Sequence, residues 1–132
     1  MLGDKSVIPT LAVSDMERAR DFYENTLGLK PAPGLSEGAD AGAVVYQVGS
    51  SAMLVYLSAY AGTNQATAAS WGVGDDFDPI VEDLRNKGVT FERYDDLPDT
   101  TREGDIHTTG EMKSVWFKDP DGNILNVGNV SM

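Results

Sequence analysis

His107 is the only histidine in the chain, and it stands among Asp105, Thr108, Thr109 and Glu111. An imidazole beside carboxylates can act as a general base, or can share a metal ion with Asp105 and Glu111. The polar surroundings favour the plainer reading, a solvated loop histidine. No nucleophile-elbow pattern supports a Ser-His-Asp arrangement, and a loop without fixed outer partners holds a metal poorly. The chain has no cysteine, which removes thiolate metal sites, thiol nucleophiles and disulfides together. Carboxylates are abundant, but no pair has a spacing that singles it out for acid–base work. The run Asp75-Asp76-Phe77-Asp78 reads as charge complementing a helix N-terminus, and Tyr94-Asp95-Asp96 as a solvated loop. Tyr46 and Trp116 are aromatic residues that could sandwich a planar ligand or belong to the core. Strand parity decides between those roles.

At 132 residues the chain is expected to form one domain, residues 1–132, with a sizeable core. Its apolar content is that of a globular protein, and no apolar run approaches a membrane span. The Met1-Leu2-Gly3-Asp4-Lys5 start lacks a hydrophobic signal region, so the expected location is the cytoplasm, and the Asn129-Val130-Ser131 sequon reads as an accident of composition. A formal charge of −11 argues against nucleic-acid and anionic-membrane partners, whose phosphates need Lys and Arg. It would suit a cationic ligand, although an acidic surface more often serves solubility.

The elements that must position these side chains repeat. Leu11, Val13 and Asp15 lead into a helix stopping at Leu27-Gly28; sixty residues later Trp71, Val73 and Asp75 lead into one stopping at Lys87-Gly88. At an offset of seventy, Val45-Tyr46 matches Val115-Trp116, Gly49-Ser50-Ser51 matches Asp119-Pro120-Asp121, and Tyr56 matches Asn126. The ten-residue surplus lies between Gly88 and Val115. Alternation predicts strands over Ser6–Val13, Ala43–Val48, Ala52–Ser58, Ala68–Gly74, Val89–Tyr94, Met112–Lys118 and Asn123–Val130, with a short irregular one over Leu29–Leu35. Ser14 and Glu17 read as a capping box. The first helix should bury Met16, Ala19, Phe22, Tyr23 and Leu27, and the second Phe77, Ile80, Val81 and Leu84. Module one spans about 6–58, a linker about 59–67, and module two about 68–130. Asp95–Glu111 reads as a long loop, which is usually functional or mobile. The expected fold class is α+β: two tandem βαβββ modules sharing one cup-like mixed sheet with helices outside.

The sequence resembles the vicinal oxygen chelate superfamily, which includes glyoxalase I, bleomycin-resistance proteins and extradiol dioxygenases. The resemblance covers nearly the whole chain. It rests on Leu11-Ala12-Val13-Ser14-Asp15 running into Ala19-Arg20-Asp21-Phe22-Tyr23, on Leu27-Gly28-Leu29, and on Val115 through the terminal Asp119-Pro120-Asp121-Gly122-Asn123. Metal-dependent members hold a divalent cation with one ligand from each of four strands. Mapped by those motifs, the ligand positions fall on Ile8, Tyr56, Ala68 and Asn126, where the family pattern wants His or Glu. Isoleucine and alanine have no lone pair to offer, so the expectation is no metal and no other cofactor.

The resemblance implies that Tyr56 and Asn126 point into the cup, either to hydrogen-bond a ligand or to close a vestigial site by bonding each other or water. Strand alternation adds Thr10, Leu54, Ser58, Ser70 and Ile124 to that face. The ligand-binding expectation is therefore Ile8, Thr10, Tyr46, Leu54, Tyr56, Ala68, Ser70, Trp116, Ile124 and Asn126, with Tyr56 and His107 as catalytic candidates. The functional expectation is a metal-independent, small-molecule-binding protein of the bleomycin-resistance type, sequestering an aromatic or cationic compound as a homodimer. The alternative is a lyase, isomerase or dioxygenase-like enzyme using the same cup, with acid–base side chains or a displaced metal site. A module that binds a partner protein, its cup filled by its own side chains, is a further reading.

Overall fold

A computed structural model describes residues 1–33 and 42–131. The chain separates into two compact units, Met1–Asn64 and Gln65–Met132. In the first, β1 (Thr10–Val13) leads into helix α1 (Met16–Arg20), which widens into a π-helical turn over Asp21–Thr26; β2 (Lys30–Pro31), β3 (Ala43–Val48) and β4 (Ser51–Leu57) follow. The sheet order is β1-β4-β3-β2, with β1 parallel to β4 and the other pairs antiparallel. The second unit runs β5 (Thr67–Gly72), α2 (Phe77–Asn86), β6 (Thr101–Glu103), β7 (Ile106–Thr109), β8 (Met112–Lys118) and β9 (Ile124–Gly128). Its order is β5-β9-β8-β7-β6, with β5 parallel to β9. Both sheets are mixed and each unit carries one main helix, so the α+β class and the repeat are both present.

Each helix covers one face of its own sheet. In the first unit Leu11, Val13, Val44, Tyr46, Met53 and Val55 are buried alternately along their strands. Tyr23, from the helical segment, stacks on Tyr46 with ring centroids 6.0 Å apart, which places the helix on that face. In the second unit Val115, Phe117, Leu125 and Val127 are the corresponding buried set. Phe117 packs edge-on against Phe91 at 6.1 Å, and Arg85 of α2 lies over Phe91 at 5.6 Å. Burying such apolar side chains contributes about 1.5–3 kcal/mol each, which is what selects strand register here. Gly28 ends the first helical segment at φ 76, a left-handed conformation costly for any residue with a Cβ. Leu29 N–H then donates back to Tyr23 C=O at 2.9 Å.

Four expectations need correcting. The N-cap is Asp15, whose carboxylate accepts from Arg18 N–H at 3.1 Å, while Ser14 Oγ accepts from the Arg18 guanidinium. The first strand begins at Thr10, because Pro9 has no N–H for the ladder, although its carbonyl still accepts from Leu54 N–H. Val89–Tyr94 is not a strand. Its backbone meets β8 at the isolated Phe91–Phe117 bridge and the Glu92 N–H to Trp116 C=O bond and forms no ladder, because β7 occupies the same edge of β8 at Met112–Ser114. Asp95–Glu111 is not an open loop, since it holds the β6–β7 hairpin that widens the sheet to five strands. The expected short strand over Leu29–Leu35 is observed at Lys30–Pro31; Gly34, Leu35 and the polar stretch 36–41 lie outside the described residues.

The hairpin is held by ion pairs. Arg102 pairs with Asp95 at 2.8 Å, and Asp105 takes Arg93 at 3.0 Å and Arg85 at 3.2 Å. Burial pushes the Asp105 carboxyl upward, but hydrogen bonds from Arg93 and Arg85 outweigh it and hold the group below the ordinary aspartate range. A depressed carboxylate stabilises the fold above its unfolded pKa, and that contribution is lost as pH falls through the lower folded value. Asp105→Asn should loosen the hairpin locally, speeding amide exchange over Ile106–Thr109 while shifting global stability by less than about 1 kcal/mol. Unchanged exchange in the variant would show that side-chain packing alone holds the hairpin.

Candidate functional site

In each unit one face of the sheet is covered by the unit's own helix, so strand parity assigns each candidate either to that face or to the opposite, open one. In the first unit Thr10, Leu54 and Val45 lie in one cross-strand row and Ala12, Tyr56 and Ala43 in the next. Thr10, Leu54 and Tyr56 thus share this open face, with Tyr56 36% exposed. Ile8 precedes β1 and is half-buried. Ser58 follows β4, its N–H donating to Val13 C=O. Tyr46 is a correction. It pairs with Met53 on the opposite, helix-covered face, is fully buried, and donates its hydroxyl to Glu24 at 2.9 Å. It is a core residue.

In the second unit the rows are polar. Ser70, Asn126 and Trp116 lie side by side across β5, β9 and β8, and Gly72, Gly128, Ser114 and His107 form the next row. Trp116 therefore sits on the open face, opposite in parity to its repeat counterpart Tyr46. Ile124 lies on the same face, flanked by Thr67 and Lys118. A register shift between Thr67 and Ala69 changes the expected assignment of β5. The extra residue is Ala68, so Thr67, not Ala68, takes the open-face position beside Ile124. The Thr67 hydroxyl accepts from Trp116 Nε1–H at 3.2 Å. Asn126 donates from Nδ2 to Val115 C=O at 3.2 Å, which orients its amide.

His107 is the largest correction. It is 1% exposed rather than solvated. Strand β7 carries it onto the open face, where its ring meets Trp116 edge-to-face at 4.9 Å and Tyr94 at 5.8 Å. Tyr94 also packs edge-on against Trp116 at 5.6 Å. The Tyr94 backbone N–H donates to His107 Nε2 at 2.9 Å, so that lone pair is engaged. The Asp105–His107–Glu111 cluster considered from sequence does not assemble: Asp105 is bound to two arginines and Glu111 lies in an exposed turn. Sequence reasoning missed Thr67 and Tyr94. A bulge between two alanines leaves no pattern signal, and Tyr94 was masked by its acidic neighbours.

The sequence matches the model of the Glyoxalase/Bleomycin resistance protein/Dioxygenase superfamily over residues 7–127, and the chain belongs to that family. Its fold is similar to the fosfomycin resistance protein FosX from Mesorhizobium loti, at 14% identity and TM-score 0.66, covering 98% of this chain and 94% of that one. A glyoxalase/bleomycin resistance protein/dioxygenase from Alicyclobacillus acidocaldarius gives 19% identity and TM-score 0.66, covering 95% and 90%. Lactoylglutathione lyase from Agrobacterium tumefaciens gives 17% identity and TM-score 0.65, covering 94% and 92%. No curated protein matches the chain.

The residues at the family's metal-ligand positions do not fit a divalent cation. Ile8 and Ala68 offer no donor, and Tyr56 and Asn126 offer one phenol and one amide oxygen, short of the several carboxylate or imidazole ligands that a divalent cation needs. Thr67, which the bulge substitutes for Ala68, has its hydroxyl bonded to Trp116. Among the described residues no group of three His, Cys, Asp or Glu side chains could hold a metal ion.

Proposed function

We propose that this chain is a metal-independent small-molecule-binding protein of the glyoxalase/bleomycin-resistance type, which holds an aromatic or cationic compound without transforming it. The observation that carries this reading is the open face of the second sheet. There Trp116 stands beside the polar handles Thr67, Ser70 and Asn126. An apolar aromatic surface with a few oriented polar groups is the usual make-up of a small-molecule site. On the first sheet Thr10, Leu54 and Tyr56 supply a second such surface. A catalytic reading has less support, because the His107 lone pair that would take a proton is occupied by Tyr94 N–H. Family resemblance supports a homodimer, and the acidic, cysteine-free composition agrees with a cytoplasmic setting. No helix among the described residues is long and apolar enough to cross a membrane.

A thermal-shift series on chelator-treated protein tests the proposal, with divalent metals set beside aromatic, cationic and thiol-conjugated compounds. A binder at a hundred times its Kd raises the stability of the native state by about 2.7 kcal/mol, so a tight ligand shows plainly. The expected result is an upward shift with an aromatic compound and none with any metal. A metal-dependent shift of several degrees would overturn it. Sedimentation at twice the 14.2 kDa chain mass is expected for the dimer.

A further inference from the structure

The β6–β7 hairpin is the surplus of the second module and has no counterpart in the first. It carries His107 to the open face beside Arg102, its cross-strand partner on β6, and ties it there by burial and by three ion pairs, one of them between Arg102 and Asp95. The Tyr94 N–H to Nε2 bond assigns the neutral imidazole with its proton on Nδ1. That Nδ1–H has no hydrogen-bond partner among the described residues, and neither does the buried hydroxyl of Tyr94. Burial, with the charge of Glu92 adding to it, pushes the Tyr94 phenol upward, so it too is a donor at neutral pH. Buried polar groups are almost always paired. Here two donors lack partners within one aromatic cluster, and both rings contact Trp116. The row that begins at Arg102 and His107 continues through Ser114 to Gly128 and Gly72, two positions without side chains, so the floor beside Trp116 is low.

We propose that the hairpin is the specificity element of this site: the ligand is a planar molecule lying against Trp116, with an edge acceptor, a carbonyl oxygen or ring nitrogen, that takes the His107 Nδ1–H. The Tyr94 hydroxyl is the second donor to the same edge. The net charge of −11 disfavours an anionic ligand, which makes a neutral acceptor the better fit. This rests on the small-molecule reading above and narrows it.

Because the chain has one histidine, 15N-histidine labelling gives an unambiguous resonance for the proposed donor. The probes are isoquinoline, a planar ring-nitrogen acceptor, and N-methylisoquinolinium, which has the same shape but is cationic with its acceptor blocked. His107→Gln supplies a carbonyl to meet Tyr94 N–H while lacking the Nδ1–H. Isoquinoline should move the Nδ1 proton resonance downfield in the wild type and bind roughly tenfold or more weakly to His107→Gln. The variant should treat N-methylisoquinolinium like the wild type. Binding of both probes with no change at Nδ1, or of N-methylisoquinolinium alone, would overturn the acceptor assignment while leaving small-molecule binding intact. Binding of neither would remove both. If His107→Gln does not fold, the wild-type resonance decides the matter.

Discussion

Replacing Tyr46 by Ala is expected to cost about 3–5 kcal/mol of unfolding free energy, and Tyr46→Phe about 1–2 kcal/mol. The ring is fully buried between the helical segment and β3, stacked on Tyr23, so truncation leaves a cavity that the sheet cannot collapse. The phenylalanine variant keeps the packing and removes only the hydroxyl bond to Glu24, which still has Arg20 at 2.9 Å. Urea unfolding at constant m should show both losses as shifts in midpoint. A loss below about 1 kcal/mol for the alanine variant would mean that Tyr46 is not a core residue. The same tyrosine predicts an alkaline dependence. Burial, then the hydrogen bond and charge of Glu24, push its pKa far above the ordinary value, with Arg20 opposing weakly. A group whose folded pKa is raised stabilises the fold fully below its unfolded pKa, about 10, and loses that contribution as pH rises beyond it. Stability should therefore fall above about pH 10 in the wild type, and fall less in Tyr46→Phe. Parallel curves for the two proteins would count against the buried phenol.

Asp119→Ala should cost about 2–4 kcal/mol. Asp119 is buried in the turn between β8 and β9. Its Oδ1 accepts from Asp121 N–H at 2.9 Å and Asn123 N–H at 2.8 Å, and its Oδ2 from Asn123 Nδ2 at 2.8 Å. Removing the carboxylate strands three donors, two of them on the backbone. Because this turn sets the register of Ile124 against Lys118, and so of Asn126 against Trp116, the variant should also weaken any ligand of that face. Asp119→Asn should recover part of the stability, since its carbonyl can still take the two backbone donors. An alanine variant as stable as the wild type would show that Pro120 and Gly122 shape the turn unaided.

Much of this architecture could be read from the residues, because it rests on short-range periodicity. The α2 face of Phe77, Val81 and Leu84, the β8 bounds, and the Asp119–Asn123 turn all come from local patterns whose physics acts within a few residues. The repeat added the order of elements, and with the terminal hairpin it was enough to identify the superfamily. At two of the four positions mapped from the family motif, Ile8 and Ala68, the chemistry was likewise plain: an aliphatic side chain has no lone pair, and folding cannot supply one.

The tertiary structure decided what depends on pairing between distant segments. Tyr46 and Trp116 occupy matching repeat positions, yet one is core and the other faces outward from its helix. The bulge at Ala68 handed an open-face position to Thr67, because one extra residue in a strand reverses the faces of everything before it. The Asp- and Thr-rich segment read as solvated became a hairpin once Arg85, Arg93 and Arg102, all outside its turn, could reach Asp95 and Asp105. His107 followed it into the interior. Local polarity had suggested solvent, but burial is a property of the partners a residue meets, and those partners, Tyr94 and Trp116, lie on other elements.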